Sequence, residues 1–287
     1  MDYLYHYTTV ESLALILKNK SFRLSPLSVL DDLQEERVKD VQKFSEYVFV
    51  SSWTDDKEES IPMWNMYSNM DSGIRIKMKK NPFKTYNVDI ALLTQEFHNI
   101  QISKNIFNEY DIIFSAKEPI GYTSKFSIKN LIIPTKDFFT EKYYLHNCTP
   151  ESILIKVNYT NDEKLLTPQI SNDSSIVLSK LGIHKKECWQ FQKEWRYVLR
   201  FSPVGVREII DYPLTSMVNL YNRYSTPTHV LPFKYYYLVL EDEALESMEI
   251  TLSPKISEGY RTITQLLKNE YNPHMVIKDS SLTNDIR

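Results

Sequence analysis

The 287-residue sequence predicts an α+β fold built from short strands and short helices. Alternating, aromatic or β-branched runs recur at 3–7, 47–53, 74–78 and 195–201, which favours strands at each place. Between them, apolar residues fall at helical spacing over short stretches only. No run approaches the roughly 18 apolar residues of a membrane span, and 42% hydrophobic with 25% charged residues is the balance of an ordinary globular chain.

Taken in order, Tyr3-Leu4-Tyr5-His6-Tyr7 sets three tyrosines on one face of a strand and Leu4 and His6 on the other. The T-x-x-E spacing from Thr8 to Glu11 predicts a capping box opening a helix through Leu13, Ile16 and Leu17. Residues 22–24 read as a second strand closed by Ser25-Pro26, and 31–47 as a helix through Leu33, Val38, Val41 and Phe44. A strand at 47–53 precedes a short helix at 61–67, whose first turn tolerates Pro62. Gly73 breaks that helix before a strand at 74–78. The pattern then weakens from 81 to 172, with strand-like residues at 152–159. A helix is expected at 176–191, strands at 195–201, 235–241, 248–252 and 274–278, and a helix at 257–269. The expected organisation is one domain over 1–287, with a core from 1–80 and 185–280 and an elaboration at about 81–184.

Composition excludes several classes of function. Thirty-four Lys+Arg against 37 Asp+Glu leave a net charge of −3, which rules out a strongly basic nucleic-acid coat. Only Cys148 and Cys188 are present, too few for a disulfide framework or a Cys-rich zinc site. The glycines, Gly73, Gly121, Gly182, Gly205 and Gly259, are far apart, so no P-loop or G-x-G-x-x-G turn exists. Side chains would have to hold any nucleotide. The six histidines form no hydrolytic zinc motif, and no metal is expected. The opening residues lack the layout of a secretion signal, so the expected location is cytoplasmic, with no membrane partner.

Three groups of residues could carry chemistry. His6 stands at the end of a strand, just before a helix, where its ring can leave the core; a satisfied half-buried histidine is the alternative. Gln192 and Glu194 are two apart, so an extended backbone would put them on one face, flanked by Trp189 and Trp195. Beside aromatics, a carboxylate can stabilise a developing cation; the alternative is a surface ion pair of Glu194 with Arg196 or a lysine. Met63, Met66 and Tyr67 share a helix face behind the hydroxyls of Ser51, Ser52 and Thr54, a pattern that packs a core as readily as it stacks on a ligand ring.

The ordered blocks at Leu4 to Thr8, Ser52 to Thr54, Met63 to Tyr67, Gly73 to Ile76 and Trp189 to Arg196 resemble a large bacterial family of unknown function. That family's Asn-Asp-Pro-x-Glu block survives here as Asp32 and Glu35. The layout also resembles the ADP-ribosyltransferase superfamily in its His-Tyr-Glu form. The resemblance implies a split β-sheet core, NAD as substrate and a macromolecular acceptor, protein or nucleic acid. It implies an intracellular toxin or phage-defence effector. Glu194 would be catalytic, with Gln192 choosing the acceptor. His6, Tyr7, Thr8, Ser52, Trp64 and Tyr67 would line the NAD site; His6 would hold a ribose and Tyr67 cover nicotinamide, with Tyr5, Tyr7 and Trp64 as alternative rings. Two other readings stand beside it. One is a nuclease using His6 and Glu194 as acid and base; the other is a binding module whose 20 tyrosines form a contact surface.

Overall fold

A computed structural model describes residues 2–40, 44–171, 176–226 and 230–285. Strand β1 (Tyr3–Thr9) leads into helix α1 (Val10–Asn19) and strand β2 (Ser21–Pro26). Thr9, not Thr8, caps α1: its hydroxyl accepts from the Ser12 amide. Thr8 remains in the strand because β1 pairs onward to Thr9 opposite Gly73. Glu11 is thus free of the expected box and accepts from the Tyr260 hydroxyl at 2.7 Å. Strand β3 (Val48–Thr54), helix α2 (Ile61–Tyr67) and strand β4 (Gly73–Lys79) fall where the local pattern puts them. Ser60 caps α2 and Pro62 sits in its first turn.

Gly73 is needed for close approach. A Cβ there would stand 2.6 Å from the Asn69 carbonyl oxygen and 2.7 Å from Ser68 Oγ. Gly73→Ala is expected to cost about 1–3 kcal/mol by overpacking the start of β4. A urea midpoint equal to that of the unaltered chain would show that the turn yields.

Among the described residues, two expected helices do not form. Between Asp31 and Asp40 the chain makes turns and bends, and Phe44–Tyr47 is a single 3-10 turn; Val41 lies outside the described residues. Leu33 is 68% exposed while Glu35 is drawn inward to Arg196, so a long-range charge contact overrides the apolar spacing. Residues 176–191 likewise form a 3-10 turn (Leu178–Lys180), a short strand (His184–Lys186) and the start of a second 3-10 turn (Glu187–Gln192). Gly182, at φ 74°, turns the chain here in a conformation that suits glycine.

The main sheet has ten strands and is mixed, which makes the fold α+β. Strand β5 (Glu194–Ser202) pairs antiparallel with β3, from Glu194 opposite Thr54 to Arg200 opposite Val48. On the other side, β1 pairs with β4 along its length, and β4 with β7 (Glu249–Leu252), which carries β8 (Val276–Lys278). Strand β2 touches β3 at Ser25–Val50 and Pro26–Phe49 and carries β6 (Tyr236–Val239) on its far edge. Strands β1 and β3 meet at one rung, Tyr5 opposite Thr54. The sheet therefore parts there, and residues 51–53 of β3 face an open seam.

Ile100–Lys104, Tyr110–Ser115 and Thr123–Ile128 form a separate three-stranded sheet in the central elaboration. Its inward residues Ile112, Phe114 and Ile128 belong to the same hydrophobic cluster as Leu4, Val50 and Ile76 of the main sheet. Among the described residues, no helix is long and apolar enough to cross a membrane.

Candidate functional site

The seam between β1 and β3 organises the site. With the ladder interrupted after Tyr5–Thr54, the Ser52 carbonyl takes a side-chain partner, and His6 Nδ1 lies 2.8 Å from it. A carbonyl oxygen only accepts, so Nδ1 carries the proton and Nε2 is left as an acceptor. The His6 ring lies 5.0 Å from the Trp53 ring and meets Phe22 edge-on. Burial pushes its pKa down against the opposing carbonyl bond, and Arg23 lowers it further, so the ring is neutral at pH 7.

Below the seam lies a buried quartet of charges. Arg196 forks across Glu35, with Nη2 at 2.8 Å, and its Nε donates to Glu194 Oε1 at 2.7 Å. Lys185 Nζ sits 3.2 Å from Glu194 and 3.5 Å from Glu35. All four side chains are at most 7% exposed. Two acids balance two bases, as burial of charge demands. Burial alone would raise the Glu194 pKa, yet Arg196 and Lys185 hold it far below the ordinary carboxylate range, helped by a hydrogen bond from Ser52. Glu194 does pair with Arg196 and a lysine, but in the interior, not on the surface.

Gln192 and Glu194 do not share an extended strand. Gln192 ends a 3-10 turn, Lys193 adopts φ 46°, and Glu194 begins β5. The left-handed residue between them overturns the expected common face. Their side chains nevertheless converge on Lys185, whose Nζ donates to Gln192 Oε1 at 2.8 Å. The Gln192 amide donates in turn to the Tyr67 hydroxyl. Burial and the nearby Glu194 and Asp31 push the Tyr67 phenol pKa up, so it keeps a proton to donate.

These groups line an inner pocket of about 90 Å3. His6, Tyr7, Ser52, Tyr67, Gln192 and Glu194 all reach it, brought together from positions up to 188 apart in sequence (194 − 6). Trp53 and Tyr67 give it aromatic walls. It adjoins a wider cleft of about 610 Å3, with His6, Leu30, Asp31, Ser52 and Tyr67 common to both; that size is typical of small-molecule sites. Thr8 lines only the wider cleft.

Trp64 reaches neither space, contrary to the expectation for it. It is fully buried, edge-on to Tyr7 at 4.8 Å, and its indole N–H donates to Glu59. The Tyr7 hydroxyl accepts from the Ser60 amide at 3.1 Å and so braces α2. Trp189 flanks the quartet, with Lys185 Nζ 4.8 Å from its ring centroid, whereas Trp195 carries Lys80 at 4.0 Å and lines neither space. Lys185, four residues before Trp189, has no motif of its own in the sequence. Not all 20 tyrosines belong to a surface: Tyr47, Tyr197 and Tyr224 are buried in the core.

The neutral histidines predict acid sensitivity. An unfolded histidine titrates near pH 6.5, whereas burial holds His6 lower and drives His146 down to about 4. The unfolded chain thus takes up protons first, and stability present above pH 6.5 is lost as pH falls through the folded values. Melting temperature should drop between pH 7 and 5, and the drop should shrink in His6→Gln. An unchanged slope in that variant would remove His6 as a contributor.

Comparison with protein-family models, with curated proteins and with solved structures returns no match for this chain.

Proposed function

We propose that the chain is an NAD-dependent ADP-ribosyltransferase-like enzyme that passes ADP-ribose to a protein or nucleic acid. The observation that carries this reading is the convergence of His6, Tyr67, Gln192 and Glu194 on one pocket where the sheet parts. The parted sheet itself supports a split-sheet core of that superfamily. An effector role, as a toxin or in phage defence, follows from the resemblance of the sequence blocks.

In the proposed reaction the bond between ribose C1′ and the nicotinamide nitrogen breaks. Its electron pair leaves with nicotinamide, which becomes neutral, and positive charge develops on the sugar. Glu194, held ionised, stabilises that charge and grips a ribose hydroxyl, which takes the place of the Ser52 hydroxyl on the carboxylate. His6 Nε2 accepts from a second ribose hydroxyl. The Tyr67 ring covers nicotinamide. Gln192, its amide fixed between Lys185 and Tyr67, stands beside the incoming nucleophile, whose oxygen bonds to C1′ and whose proton passes to solvent.

The test is nicotinamide release. Purified chain is incubated with NAD, alone and with cell extract, and free nicotinamide is measured by chromatography. Release supports the reading. No release under either condition overturns it, and cleavage of added nucleic acid without NAD would favour the nuclease instead.

A further inference from the structure

The charges around the cleft are unevenly placed. The inner quartet is self-neutralising, and His6 is neutral. Two other charged side chains line the space, Arg23 and Asp31, and both are exposed. Neither forms an ion pair with any other described residue. Asp31 borders both the inner pocket and the wider cleft, and its charge acts on Tyr67. Arg23 borders only the wider cleft, and its guanidinium carbon lies 4.7 Å from the centroid of the Tyr235 ring, which lines neither space. A guanidinium without an ion-pair partner can give two parallel bonds to a phosphate. Of these two charges only Asp31 lines the inner pocket, while Arg23 lines the wider cleft alone.

We propose that this polarity matches a zwitterionic dinucleotide: Arg23 holds the diphosphate, and Asp31 faces the cationic nicotinamide ring. The assignment rests on the reading of the cleft as an NAD site and fixes the direction in which NAD lies. The ring enters toward Tyr67 and Glu194, and the diphosphate stays in the wider cleft. It also makes Asp31 a discriminator by ring charge, favouring oxidised NAD over the reduced form, whose dihydropyridine ring is neutral.

The test compares dissociation constants of three ligands by calorimetry. Carbocyclic NAD keeps the pyridinium and the diphosphate but resists cleavage; NADH keeps the diphosphate alone; ADP-ribose lacks the ring. Each is titrated into the unaltered chain, Arg23→Gln and Asp31→Asn. Both positions are exposed, and thermal melts check that the variants are folded. Arg23→Gln should weaken all three ligands by a similar factor, roughly tenfold or more for a lost charge-assisted contact. Asp31→Asn should weaken carbocyclic NAD by roughly two- to fivefold, as for an exposed charge pair, and leave NADH and ADP-ribose within twofold.

Unchanged affinities in Arg23→Gln, equal effects of Asp31→Asn on carbocyclic NAD and NADH, or no binding to the unaltered chain would each overturn the assignment. Nicotinamide release by the unaltered chain, measured in parallel, reports separately on the reaction. Release with unchanged affinity ratios overturns the charge assignment and leaves the transferase standing. The expected ratios without release support the binding assignment and overturn the transferase.

Discussion

Glu194→Gln is expected to lower nicotinamide release by on the order of 10² to 10³, the usual loss for a preorganised electrostatic group. It should also cost the fold about 3–5 kcal/mol, because removing one partner leaves a buried charge uncompensated. Gln fits the space, but Lys185 would then have Glu35 at 3.5 Å as its remaining carboxylate, shared with Arg196. The two losses can be separated. Adding Lys185→Met restores the balance of charge, leaving Glu35 and Arg196 as a bidentate pair. The double variant should regain much of the stability and none of the activity, read by urea melts and by chromatography of nicotinamide. Activity in the double variant would remove Glu194 from the chemistry. A melt as low as that of the single variant would show that charge imbalance is not the source of the loss.

Trp64→Ala should destabilise by about 3–5 kcal/mol, the range for deleting a fully buried large aromatic. Its effect should reach the site indirectly. Trp64 packs on Tyr7 and donates to Glu59, whose carboxylate also receives the Ser280 hydroxyl and the Ser281 amide. These contacts seat α2, and α2 carries Tyr67 at its last position. Nicotinamide release should fall in the folded fraction although Trp64 lines no part of the cleft. Trp64→Phe keeps a ring against Tyr7 and loses the indole donor, so it should cost less. A melt of Trp64→Ala matching the unaltered chain would show that α2 is seated by other contacts.

These two residues mark how far the sequence could be read. Strands β1 and β4 and helix α2 were legible because their signals are local: alternation, and a proline in the first turn. The stretches 31–47 and 176–191 were not. There the apolar spacing is helical, but Glu35 and Lys185 are pulled into one charge cluster from 150 positions apart (185 − 35). Sequence spacing carries no sign of that contact. At the site, block order pointed to His6, Tyr67, Gln192 and Glu194, and all four meet. Trp64 was misplaced because helical spacing shows which residues share a face, not which face meets a cleft. Lys185 was missed because a lysine is ordinarily solvated, and only its partners make it an interior residue.

The buried charge quartet has a consequence for synthesis on the ribosome. His6, Glu35 and Tyr67 emerge early, but strand β5, with Glu194 and Arg196, is made late. At about 5–20 residues per second, Glu194 follows Glu35 after roughly 8–30 s. Until Lys185 is made Glu35 has neither cation of the quartet, and until Arg196 is made it has only one, so the first strands cannot bury it at acceptable cost. The nascent chain holds one wall of the cleft without its carboxylate partner. On the transferase reading, chemistry at Glu194 waits until about two thirds of these 287 residues have been made, and a fragment ending before β5 is expected to release no nicotinamide.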